Sequence, residues 1–401
     1  MSSSRHFLLA GGALAGAMAV MLLAMRSDAT PIPALSPTGS PVPGKAMSPA
    51  LIAEGKRVFR FDTFGDEQLW TDTLGLHKVV EQHVDPLTAL AVGLKVDADA
   101  LPPGILGQVD LTKPATTVAL LKLNAVVGVQ ATVDAGDHIT RLGITCALCH
   151  STVDDSVAPG IGHRMDGWPN RDLNVGAIIA LSPVLPAATK AVYNSWGPGK
   201  YDPRFNIDGL STPMVLPPAY GLKRIKNETY TAEGPISYWN AYVAVTQMGG
   251  QGNFSDPRLG IHIEHTPDLV TPKLPALRAY QHSLGAPPPP IGSYDRVAAT
   301  RGRAVFGRNC IGCHVGATST DNNGGKLHAP SETGVDGGYA ARTTNKAYRT
   351  TPLRGLWQHP PYFHDGSEPT LADVVDHYNR VRHLHLDAAQ QHDLVEYLKT
   401  L

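Results

Sequence analysis

Two stretches decide how this chain reads: ITCALCH (144–150) and NCIGCH (309–314). Each contains Cys-x-x-Cys-His, and Cys146, Cys149, Cys310 and Cys313 are the only cysteines in 401 residues. None is left over for a structural disulfide. A zinc ribbon needs two cysteine pairs close in sequence, whereas these pairs lie 164 positions apart, 146 to 310. A thioredoxin-type pair requires neither the following histidine nor a second copy. What remains is covalent haem c: two thiols add to the haem vinyl groups, and the adjacent histidine, His150 or His314, is the proximal iron ligand. The sequence therefore implies two covalently bound haems.

Composition sets the frame. Apolar residues make up 42% and charged residues 17%, enough for ordinary cores in two or three domains. The formal net charge is −1, so no basic field argues for nucleic acid. The 33 prolines and 40 glycines predict long, turn-rich connections between modest helices. At the N-terminus, Arg5 precedes an uncharged run from Phe7 to Met25. This is the pattern of an export signal ending near Ala29, or of a retained membrane anchor. Prolines 31, 33, 37, 41, 43 and 49 make residues 30–50 an extended tether. The expected location is the periplasm, where haem c attachment fits.

A weak internal repeat divides the chain. Gly55-Lys-Arg-Val-Phe59 and Gly302-Arg-Ala-Val-Phe306 share Gly, a basic residue, one variable position and Val-Phe, and a haem motif follows each. In the second copy the motif follows at once; in the first, residues 60–145 intervene. The run GAPPPPIGS (285–293) is too stiff and donor-poor for a core. The predicted fold is mainly α, with two class I cytochrome c-like haem domains and long irregular loops. The first (51–285) carries a large insertion; a linker (286–293) leads to the second (294–401). In the second, Asp387 is a candidate N-cap, and Leu394, Tyr397, Leu398 and Leu401 fall on one face of a closing helix. That helix is expected to cross the one carrying Gly302.

These features, together with YRTTPLRGLWQHPPYFHDGSEPTLADVVDHY (348–378), resemble the bacterial di-haem cytochrome c peroxidases and their MauG-type relatives. The resemblance is strong over 295–401, moderate over 141–200 and weak over the insertion. It implies that the C-terminal haem accepts electrons from a small donor protein, a cytochrome c or a cupredoxin. It also implies that the N-terminal haem opens a coordination position to hydrogen peroxide, and that a tryptophan between the haems assists electron transfer. Carried onto this sequence, His163 matches the histidine that caps or lines the N-terminal haem. Trp196 is the nearest counterpart of the tryptophan, with Trp168 as competitor. The family's glutamate after a Trp-Asp-Gly-Arg string is absent. The corresponding region offers Gln247, Gln251, Asn253, His262, Glu264 and His265, with Glu264 the candidate acid–base group. Where the peroxidases place a methionine on the C-terminal haem, this chain has none after Met248. Tyr378 occupies the matching offset and lies on the buried helical face with Leu371, Val374 and Val375; His377 is the alternative. The inter-domain calcium of the family has no calcium-loop motif here, although Asp and Asn are plentiful in 202–208 and 321–323.

Three functions follow from this reading. The first is reduction of hydrogen peroxide to water with electrons from the donor protein. The second is MauG-like or rubber-oxygenase-like oxidation of a protein or organic substrate. The third is electron transfer without catalysis.

Overall fold

In the computed structural model residues 47–401 are described; the signal or anchor (1–29) and most of the tether lie outside them. Helices dominate, and every sheet is a two-stranded ladder. No helix among the described residues is long and apolar enough to cross a membrane.

Two helix crossings organise the chain. Helix α1 (Pro49–Phe61) starts at Ser48, whose hydroxyl accepts from the Leu51 amide, and it buries Gly55, Val58 and Phe59. These face α2 (Leu274–Ser283), where Tyr280 meets Phe59 edge-on at 5.5 Å. A β-carbon on Gly55 would stand 1.9 Å from the Ala276 carbonyl oxygen, so only glycine permits this approach. Helix α3 (Arg296–Asn309) is capped by Asp295 and buries Gly302, Val305 and Phe306. It crosses α5 (Ala388–Leu398), with Gly302 against the Asp393 carbonyl. Between them in sequence runs α4 (Leu371–Val381), with a Thr370/Asp373 capping box. The two glycines of the weak repeat thus do the same steric job in both halves.

Leu394 and Leu398 enter the core with Val305, Phe306, Leu356, Leu371 and Val375, and Tyr397 and Leu401 pack partly against it. The helix stops at Leu398, so Leu401 contributes from beyond its end, where its carbonyl accepts from the Leu356 amide. The segment after α1 forms no separate appendage. Leu69, Trp70, Leu76, Leu121 and Leu142 share one core with Leu173, Val175, Ile179 and Trp196. Within it, β1 (Val129–Val133) and β2 (Ile139–Ile144) form a hairpin that runs into the first motif.

Residues 285–293 carry no helix or strand and are largely exposed. The segments on either side of them are nevertheless knitted together. The Val215 amide donates to the His364 carbonyl at 2.7 Å, and the Arg349 amide to the Tyr230 carbonyl at 2.8 Å. The Arg342 guanidinium lies 2.7 Å from both Asp202 and Asp208.

Candidate haem cavity

The first motif is delivered by β2. The Thr145 amide donates to Gly128, its hydroxyl to the Arg60 carbonyl at 3.1 Å, and the short helix Ala147–His150 follows. Gly128, at φ +77°, leaves room for Leu148, whose backbone nitrogen would lie 2.1 Å from any β-carbon there. The second motif continues directly from α3, with the Cys310 amide donating to Phe306 and that of His314 to Cys310.

Both motifs line one cavity of about 580 Å³. Its wall is mostly apolar: Leu148, Val175, Ile179 and Val243 line the part near the first motif, and Phe306, Leu356, Leu371 and Leu398 the part near the second. None of the four cysteines is in a disulfide. Burial pushes Cys146 and Cys149 up to about 12 and Cys310 up to about 11, which disfavours a thiolate at either motif.

The residues fit a haem at each motif. Nδ1 of His150 lies 3.0 Å from the Pro217 carbonyl, and Nδ1 of His314 lies 3.0 Å from that of Ser319. A carbonyl accepts only, so Nδ1 carries the hydrogen in both rings and Nε2 keeps its lone pair, the tautomer an iron requires. Burial lowers His150 to about 4, against the Pro217 hydrogen bond and with help from the Arg171 charge, and burial also lowers His314. Arg171 supplies a second test. Its side chain lines the cavity, Nη2 reaches the His359 carbonyl at 3.3 Å, and Nε and Nη1 are buried without a partner. No carboxylate pairs with Arg171 among the described residues. A buried unpaired guanidinium is costly, and a haem propionate is the kind of anion that would relieve it.

The residues expected from sequence separate into two groups. Gln247 is on the cavity wall. Its carbonyl oxygen accepts from Tyr201 at 2.8 Å, and its amide donates to Thr246 at 2.8 Å and Asn206 at 3.2 Å. Tyr378 is also on the wall. Its hydroxyl is pushed up to about 12 by burial, with the Cys313 and Cys310 thiols adding to the shift. His377 is buried but committed elsewhere, with Nδ1 at 3.1 Å from Glu368 and Nε2 at 2.8 Å from the Thr333 carbonyl. No ring nitrogen of His377 is left for an iron.

The others lie off the cavity. His163 is 61% exposed at the surface, with Nδ1 at 2.8 Å from Asp99. It sits between the short strands Ile161–Gly162 and Arg164–Asp166, and it is the neighbouring Arg164 that turns inward to Asp97. This geometry does not support a distal role for His163. His262 lies in, and Glu264 directly follows, a hairpin of Phe254–Asp256 with Ile261–Ile263. Its alternation buries Phe254 and Ile263 and sends His262 and Glu264 to solvent. Asn253 accepts from the His265 amide, and His265 Nδ1 lies 3.0 Å from the Gly252 carbonyl. Gln251 donates to the Gly65 carbonyl at 3.2 Å. Trp196 is 3% exposed in an aromatic cluster with Tyr193, Tyr201 and Phe205; it does not line the cavity itself but packs behind Tyr201, which does. Its competitor Trp168 lies beside Tyr220 and Trp357. The acidic residues of 202–208 are taken by Arg342, and Asp321 by His328 at 3.0 Å and Lys326 at 3.5 Å. Cys313, Asp321 and His328 lie close enough to hold a metal ion, but Cys313 is a haem-attachment thiol by its motif.

Sequence reading missed Arg171, Tyr201, Tyr220 and His359 on the cavity wall. Of these, only His359 falls inside a stretch that the sequence singled out, residues 348–378.

The RoxA-like, cytochrome c-like family matches residues 347–384, the segment that ends just beyond Tyr378. The methylamine utilization protein MauG of Methylophilus methylotrophus is 29% identical over 125 residues, which covers 26% of this chain and 36% of that protein. Among solved structures, a Kuenenia stuttgartiensis hydrazine synthase chain is 19% identical, with a TM-score of 0.33 over 47% of this chain and 73% of that one. A MauG-like protein associated with microbial copper homeostasis is 19% identical, with a TM-score of 0.33 over 48% and 74%. Both superpositions are too partial to bear on function.

Proposed function

Since the chain is a relative of the di-haem cytochrome c peroxidases and MauG-type proteins, we propose that it is an exported oxidoreductase with two covalent haems. It uses hydrogen peroxide to oxidise an organic or protein substrate. The observation that carries the reading is the single cavity lined by both Cys-x-x-Cys-His sets. In this reading residues 51–285 and 294–401 are the two haem units, with the peroxide-reactive haem at Cys146, Cys149 and His150.

When bound, haem would supply the peroxide cleavage. The protein's contribution is positional. The Pro217 and Ser319 carbonyls fix the tautomers of His150 and His314. The mostly apolar wall disfavours water around a bound group. Gln247, held by Tyr201, Thr246 and Asn206, orients a small polar ligand but exchanges no proton. Tyr378, on the cavity wall, is the residue that would help hold a haem iron at the second motif. As a ligand, its phenolate would stabilise ferric iron more than a thioether does and would give a haem there a lower potential than a His/Met site. A low potential would disfavour electron uptake from an ordinary donor, which supports substrate oxidation over donor-driven peroxide reduction.

Peroxide reduction with a cytochrome c or cupredoxin is the second reading. Ile311, between the cysteines of the second motif, is 53% exposed and offers such a donor a way in. Haem-stained denaturing gels and mass measurement test the cofactor; one haem or none ends the di-haem reading. Peroxide consumption then separates the functions. Rapid turnover with a reduced small cytochrome or cupredoxin selects the peroxidase. Turnover only with an oxidisable organic or protein substrate selects the proposal. Two low-spin haems unresponsive to peroxide select the pure carrier.

A further inference from the structure

The two halves of the chain meet in an aromatic cluster on the cavity. Tyr220, 2% exposed, comes from the first half, and His359 from the second. The Tyr220 hydroxyl lies 2.7 Å from His359 Nε2. Gln358 Nε2 lies against that same hydroxyl oxygen, and with His359 in its Nδ1–H tautomer the hydroxyl's own hydrogen goes to the imidazole. Gly355, at φ +59°, makes the approach available, because a β-carbon there would lie 2.5 Å from the Tyr220 oxygen. Trp168 stands edge-on to Tyr220 at 6.4 Å and to Trp357 at 5.6 Å. Both connect to the haem motifs. The Gly167 amide donates to the His150 carbonyl, and the Ala219 amide to Gly167. On the other side, Leu356 packs with Phe306, and Phe306 lies 6.1 Å from the His314 ring.

From this geometry we infer that Tyr220 and His359 form a proton-coupled redox pair between the two haem motifs, with Tyr220 a radical-forming residue. The inference rests on the haem reading above. Tyr220 loses one electron to an oxidising equivalent that peroxide generates in the cavity. Its O–H bond breaks, and the proton passes to His359 Nε2, giving a neutral phenoxyl and an imidazolium. One electron from the substrate or donor, with return of the proton, restores both groups. Burial and the Arg171 charge lower His359 to about 3, and burial raises Tyr220. The resting pair is therefore a neutral phenol facing a neutral imidazole with a free lone pair. An oxidised phenol is a much stronger acid than an imidazolium, so transfer follows oxidation, and the weak basicity of His359 drives the proton back on reduction.

The test is low-temperature electron paramagnetic resonance of the holoenzyme, oxidised either with one equivalent of peroxide or with a photogenerated ruthenium(III) complex. The expected result is a tyrosyl signal that narrows when the protein carries ring-deuterated tyrosine. It should vanish in Tyr220→Phe while haem content and spin states stay unchanged. In His359→Gln, which keeps an acceptor but takes no proton, the yield should fall about tenfold or more. A signal that persists in Tyr220→Phe, a signal insensitive to tyrosine deuteration, or no signal with either oxidant overturns the inference. A Tyr220 signal with ruthenium but not with peroxide supports the pair and instead defeats the peroxide reading.

Discussion

Gly302 faces the carbonyl oxygen of Asp393 so closely that a β-carbon would come within 1.8 Å of it, and Gly55 faces Ala276 in the same way at 1.9 Å. The obstructing atoms are backbone, which cannot rotate aside. Gly302→Ala and Gly55→Ala are therefore expected to force their helix pairs apart and to destabilise by about 1–3 kcal/mol or more. Val297→Ala on the same α3, at a side chain 67% exposed, should stay within about 0.5 kcal/mol. Thermal or denaturant unfolding of the holoproteins measures both, and equal midpoints for Gly302→Ala and Val297→Ala would defeat the argument.

Tyr378 and His377 are adjacent, yet only Tyr378 is on the cavity wall, while both His377 nitrogens are hydrogen-bonded elsewhere. Tyr378→Phe is expected to turn the C-terminal haem from low-spin to high-spin. His377→Ala should leave the spin state alone and lower stability, because it strands Glu368 and the Thr333 carbonyl; the loss should be about 1–3 kcal/mol. The visible and paramagnetic spectra of the two variants decide the matter, and a high-spin His377→Ala with an unchanged Tyr378→Phe would reverse the assignment.

What was legible in the sequence was local or repeated. The Cys-x-x-Cys-His motifs, the Gly-x-x-Val-Phe repeat and the Asp387 cap each need only a few consecutive residues. His163 and Glu264 were misplaced for a shared reason. His163 rests on its offset from the first motif and Glu264 on its place in the region that stands for the missing Trp-Asp-Gly-Arg string, but each sits in or beside short strands where inward and outward positions alternate. One residue of slip exchanges surface for interior, and it is Arg164, not His163, that turns in. The contacts that build the cavity wall between the halves, such as Tyr220 with His359, join residues 139 positions apart. No local pattern announces such a pair.

His163 gives a prediction with a defined pH dependence. The Asp99 hydrogen bond and charge raise its pKa above the usual value. A raised folded-state pKa adds stability that is fully present below the unfolded pKa and is lost as pH rises through the folded one. His163→Ala is therefore expected to lower stability slightly in mild acid and not at all well above neutrality. Its haem spectra and peroxide reactivity should match the wild type. A change of spin state would return His163 to the distal site.

Arg171 carries the last prediction. Its guanidinium lies in the cavity wall without a carboxylate partner, and its charge acts on His150. A cation near an iron disfavours the ferric state, the more positive of the two. Removing it should therefore stabilise ferric iron and lower the reduction potential of the N-terminal haem. At an effective dielectric near 20 the change is on the order of 1 kcal/mol. Arg171→Met keeps the apolar stem and removes the charge, so packing is largely preserved. The thioether bonds do not depend on Arg171, and both haems should stay attached. Redox titration by visible spectroscopy, with haem content measured in parallel, reads the two effects separately. A potential that rises, or does not move, would show that Arg171 is not beside the haem and that its unpaired nitrogens answer to something else.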